Sequence, residues 1–192
     1  MKQRRPTPAP QEHQAMFTRP SAAIAAAFLL SSPALLQSAD AADKPTDPQI
    51  AHIAYTAGVI DINAAKQAQK KAKNKDVKAF AEDMLRDHEA VNQQALALVK
   101  KLNVSPEDND ASKALSKQAS DKLAELDKLS GAAFDKAYVA NEVAFHKQVN
   151  GALETQLIPS AGNAELKSLL QTGLKIFQGH QQHAEHVAAE LK

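Results

Sequence analysis

Five residues of metal-ligating type interrupt apolar stripes in this chain: Asp61, His88, Glu142, His146 and His180. His88 lies in "VKAFAEDMLRDHEAVNQQALALVKKL", Val77 to Leu102, where Val77, Phe80, Met84, Val91, Ala95, Leu98 and Leu102 keep the spacing of one helix face. The imidazole fills the gap between Met84 and Val91. Asp61 holds a similar place among Ala57, Ala64 and Ala68, and His180 among Leu170, Phe177, Ala184 and Val187. Glu142 and His146 share a stripe with Val139, Val149 and Leu153; four residues apart, they lie one turn from each other. A buried carboxylate needs a partner. Carboxylates and imidazoles together also form the donor set of a divalent transition metal: iron, manganese, zinc or copper. Two readings stay open at this point, a metal ion in a core cluster or a metal-free hydrogen-bond network.

Long helices must position these groups. The pattern predicts a first helix from Pro48, with Asp47 as N-cap, to about Lys73, and a second from beyond Asn74 to Leu102. A shorter helix is expected over about Ala111–Leu129, then a long one from Gly131 to Leu157 with Ser130 as N-cap. Asn163 caps the last, which continues almost to Lys192. No stretch alternates with period two, so no strands are expected. The architecture implied is all-α: an antiparallel four-helix bundle with an extra short helix or a kink in mid-chain. Asp61 stands about twelve residues before the first turn and His88 about fourteen after it, so at about 1.5 Å per residue their heights agree within a turn. Glu142 and His180 stand at similar heights about the last turn. His183 and His186 fan away from His180 toward solvent.

The 192 residues contain no cysteine, which excludes disulfides, thiolate metal sites and a lipoprotein anchor. Residues 1–42 have the pattern of a secretory signal peptide: Arg19, the apolar run "SAAIAAAFLL" and the small-residue site "SADA", with cleavage expected after Ala41 or Ala42. Met16 is an alternative start. Removing residues 1–41 takes away four basic residues (Lys2, Arg4, Arg5, Arg19) and two acidic ones (Glu12, Asp40) and leaves 19 against 20. That balance has no basic footprint for nucleic acid. The expected product is a periplasmic domain over residues 43–192 without a transmembrane helix. No nucleophile with a base, phosphate loop or cofactor fingerprint is present, so the sequence names no catalytic activity.

The segments "VKAFAEDMLRDHEAVN", "AAFDKAYVANEVAFHKQV" and "GHQQHAEHV" resemble those of a bacterial family, domain of unknown function 4142, over about Ala51–Leu191. Its members are exported, ferritin-like helical proteins, often labelled membrane or outer-membrane proteins. The resemblance implies a ferritin-like fold and matches Asp87, His88, His146 and His180; Asp61 stands where many members have Glu. Ferritin-type di-iron sites use Glu-x-x-His. Here Leu85, Val143 and Phe177 stand three residues before His88, His146 and His180, which favours one metal ion, or none, over a di-iron centre. Asp87 would orient a histidine from behind. The first expectation is therefore an exported, stress-related bundle that binds a metal. The second is a non-catalytic envelope protein that docks a partner through exposed Ile60, Ile62, Leu85 and Val99. A redox enzyme would need an open coordination position.

Overall fold

The computed structural model describes residues 44–191. The signal-peptide expectation for residues 1–42, with its cleavage site and the alternative start at Met16, lies outside the described residues.

Helix α1 spans Asp47–Lys71. Its N-cap is Thr46 rather than Asp47. Thr46 Oγ1 accepts the Gln49 N–H at 3.5 Å, and Gln49 Oε1 accepts the Thr46 N–H at 3.0 Å. This reciprocal box frees Asp47, whose carboxylate instead accepts the Gly162 and Asn163 N–H groups, each at 2.8 Å. Helix α2 spans Lys75–Lys101 and is capped by Asn74, which accepts from Asp76 and Val77. The first helix ends earlier than expected because the connecting backbone is claimed from outside. Asp135 accepts the Lys73 N–H at 3.0 Å and the Asn74 N–H at 2.9 Å.

Helix α3, Asp110–Asp127, buries only Ser112 and Leu126. It is a separate helix, not half of a kinked one. Ser130 does stand at the N-cap of α4, Gly131–Ala152, but its side chain makes no capping bond. Gly131 adopts φ 57, which its missing Cβ permits. A π-helical turn, Leu153–Leu157, and a last turn, Ile158–Ser160, continue α4. Pro159 explains the widening: its ring would collide with the carbonyl four residues earlier in a regular helix, and it offers no N–H. Helix α5, Ala164–Glu190, starts at Asn163, which accepts from Glu165 and Leu166 as expected.

Call the α1–α2 turn the upper end. From there α2 runs down beside α1. The loop after α2 meets the lower end of α1, where the Glu107 N–H bonds to the Pro48 carbonyl at 3.0 Å. Helix α3 then climbs outside α1. Gln67 donates to the Leu123 carbonyl at 3.0 Å, and Lys71 pairs with Asp127 at 3.0 Å. Helix α4 starts at the upper end beside Asp135 and runs down, and α5 runs back up. Two antiparallel hairpins, with turns at opposite ends, are thus joined by one helical crossover. One long crossover is a recognised connectivity for four-helix bundles. Among the described residues there is no strand, and no helix is long and apolar enough to cross a membrane.

Alanines 57, 64, 65 and 68 keep α1 thin between α2 and α3. The upper core is built on Phe80, Met84, Phe134 and Tyr138, all fully buried. Each such side chain stabilises the fold by about 1.5–3 kcal/mol. The lower core is built on Ile50, Leu153, Leu157, Leu166, Leu170 and Phe177. Between the two lies a polar layer. Ile60, Ile62, Leu85 and Val99 are half-buried rather than exposed. Leu85 packs on the upper core and Val99 lines a cavity in the lower half, so they form no shared patch.

Candidate metal centre

The polar layer consists of the five stripe-breaking residues. Asp61 comes from α1, His88 from α2, Glu142 and His146 from α4, and His180 from α5; each is at most 6% exposed. The structure gathers them into two groups of three that share His146. Ligand-type atoms of His88, His146 and His180 lie within 4.8 Å of one another, and so do those of Asp61, Glu142 and His146. The expected pairing of one carboxylate with one histidine in each hairpin is half right. His88 Nε2 stands 3.5 Å from Asp61 Oδ2. Glu142, however, groups with Asp61 and His146, because α4 packs against α1 as well as α5.

Two of the three imidazoles have their tautomers set. His146 Nδ1 donates to the Glu142 backbone carbonyl at 3.0 Å, which leaves the Nε2 lone pair. His180 Nε2 donates to Asp87 Oδ2 at 3.0 Å, which leaves the Nδ1 lone pair. Asp87 is in turn held by Arg86 Nε at 2.8 Å. So Asp87 sits behind His180. Histidine ligands to metals are oriented in this way, by a carboxylate or carbonyl on the far nitrogen. His88 is clamped by stacking instead, its ring 4.7 Å from Phe177 and inclined by 5°.

The atoms turned toward the layer have no hydrogen-bond partner among the described residues. These are Asp61 Oδ1, both nitrogens of His88, both oxygens of Glu142, His146 Nε2 and His180 Nδ1. Buried polar atoms are normally paired, and a group of orphans calls for water, an ion or strain. Tyr138 contributes another orphan, its hydroxyl. It lies one turn before Glu142 on the same face, a spacing that could have marked it in the sequence.

Burial sets the charge state. Burial, then the facing Glu142, raises the Asp61 carboxyl well above its ordinary range. Glu142 is pushed up to about 8, chiefly by burial. His146 is lowered to about 4 by burial and by His180, and His88 falls well below its usual value by burial and its two histidine neighbours. Burial also lowers His180, against the pull of Asp87. With only protons bound, the layer holds neutral acids and neutral imidazoles. A divalent cation would invert this, since it favours ionised carboxylates and takes imidazole lone pairs. The donors present therefore fit such an ion.

His183 and His186 stand apart. His183 meets the Phe80 ring edge-on at 5.1 Å and approaches Asp83 at 4.0 Å, while exposed His186 pairs with Glu190 at 3.3 Å. Asp135, missed as a buried residue in the sequence, serves the upper turn and not the layer. No curated protein and no solved structure matches the chain. A family model does match, across residues 32–187, and on that match the chain belongs to the family described as a domain of unknown function, DUF4142.

Proposed function

We propose that this is an exported, ferritin-like bundle protein that binds one divalent transition-metal ion in its core. His88, His146 and His180 supply the nitrogens of one group of donors, and the carboxylates Asp61 and Glu142, grouped with the shared His146, supply anionic oxygen on its other side. Export to the periplasm rests on the sequence of residues 1–42, and the ferritin-like kinship on the single crossover and the family resemblance. The observation that carries the metal reading is the set of orphaned ligand atoms, opposed on His146 and His180 by nitrogens already engaged with an oxygen. Three imidazoles with carboxylates suit zinc, iron or copper better than calcium or magnesium, which prefer all-oxygen sites. Copper(II) and zinc should bind more tightly than manganese.

Elemental analysis of the purified protein, after metal incubation and desalting, tests this. One ion per chain is expected, and none in His88→Ala or His180→Ala. Variants that keep as much metal as the wild type would refute the assignment.

A further inference from the structure

Below the polar layer, between the four core helices and the first turns of α3, lies a cavity of about 240 Å³. Its walls carry no charged residue and are almost wholly apolar. Gln148 and Gln156 are exposed where it reaches the seam of α3 with α4. The buried polar group on its wall is Asn92, 7% exposed and one turn below His88. The Asn92 amide makes no side-chain hydrogen bond among the described residues, and its residue lines the cavity. Space for it is created by a missing side chain: a Cβ on Gly58 would lie 2.3 Å from Asn92 Oδ1. The opposite wall is shaped by the π-helical turn, which supplies Leu153, Gln156 and Leu157. Such turns are frequent at functional sites. The upper wall is Phe177, whose ring stacks on His88.

We propose that this cavity binds a small neutral molecule with an apolar body and one hydroxyl or carbonyl, the latter bonded to Asn92. Size and chemistry define the class. A dry apolar cavity of about 150 Å³ accepts benzene, so this one accommodates a bicyclic aromatic ring system. The absence of charge on its walls disfavours ions, because a buried charge needs a partner. Asn92, the buried amide at the end nearest the layer, selects for one polar group and holds it at that end. The site does not depend on a bound metal.

The test is a calorimetric titration of the purified protein, with a metal chelator present, using 2-naphthol and naphthalene as probes. One of each should bind per chain, 2-naphthol about tenfold more tightly, as one buried hydrogen bond allows. Asn92→Leu should erase that preference and leave naphthalene within about twofold of its original affinity. Ala95→Phe should fill the cavity and abolish both; Ala54→Leu, from the facing helix, serves the same purpose if the first variant fails to fold. Binding of neither probe to the wild type overturns the proposal. So does binding that survives a folded filling variant, or a preference for 2-naphthol that persists in Asn92→Leu.

Discussion

Asp135 and Asp61 are both buried aspartates in this bundle, and they are opposites. Asp135 lies at the upper end with its carboxylate filled by the Lys73 and Asn74 N–H groups. Asp47 does the same at the lower end for Gly162 and Asn163. Asp61, at mid-height, has Oδ1 orphaned and faces Glu142 and histidines. The end carboxylates are joined to backbone donors and hold the turns. The central ones meet no backbone donor: they face each other and the histidines, sharing a proton or holding a cation. Folding explains the first kind of burial and does not explain the second.

The largest expected effect breaks the structural side of this contrast. Asp135→Ala strips acceptors from two backbone N–H groups and should destabilise the protein by about 3 kcal/mol, or about 6–12 °C in Tm. Asp61→Asn replaces a neutral acid with a neutral amide. Because folding at neutral pH forces a proton onto Asp61 and an amide needs none, chelator-treated Asp61→Asn should be as stable as the wild type or more so, while losing metal binding. Thermal melts of both variants, with and without metal, make the check. A collapse of Asp61→Asn comparable to that of Asp135→Ala would make the polar layer structural.

The stripes show in the sequence because burial imposes helical periodicity residue by residue, so a polar intruder such as His88 stands out against its neighbours. The five helices and the capping role of Asn163 are legible for the same local reason. The local pattern points to Asp47 as the cap, but Thr46 competes at the adjacent position and the actual partners of Asp47 lie 115 and 116 residues away. The course of α3 along α1 leaves little trace, since only Ser112 and Leu126 are buried. Which carboxylate meets which histidine depends on helix neighbours, which periodicity does not encode. Asn92 escaped notice because an amide next to the apolar Val91 looks like the start of the wet face. Its burial is set by Gly58 on another helix.

A second, smaller effect separates the two carboxylate classes by pH. Glu142 has an ordinary value of 4.5 and a folded value of about 8, so the folded state holds a proton that the unfolded state has released between those limits. Stability from that proton is full below 4.5 and is lost as pH rises toward 8. The lowered histidines act oppositely: His146, with a folded value of about 4 against 6.5, adds stability as pH rises up to 6.5 and nothing beyond. Above pH 6.5 the carboxyls act alone. From Glu142 alone, metal-free protein should therefore lose up to about 2 kcal/mol between pH 6.5 and 8. Metal affinity should rise over the same window, with proton release measurable by titration in buffers of different ionisation enthalpy. A flat stability profile there would mean that Glu142 is already ionised and compensated.

The last effect concerns the one histidine oriented by a hydrogen bond to a side chain. His146 is held by a backbone carbonyl, beyond the reach of substitution, but His180 is held by Asp87. Burial works to raise the Asp87 carboxyl, yet its bonds to Arg86 and His180 bring it below the ordinary range. It is therefore an anion throughout the neutral range and makes the His180 Nδ1 lone pair more basic. Asp87→Ala removes both the anchor and the charge and should weaken metal binding about 10–100-fold. Asp87→Asn keeps an acceptor for Nε2–H and loses only the charge, so its affinity should fall between those of Asp87→Ala and the wild type. Since Asp87 is partly exposed and pairs with exposed Arg86, stability without metal should change by less than about 1 kcal/mol in either variant. The order wild type, Asn, Ala in affinity, at constant stability, marks an orienting role. Equal affinities in all three would leave Asp87 as a surface ion-pair residue with no orienting role.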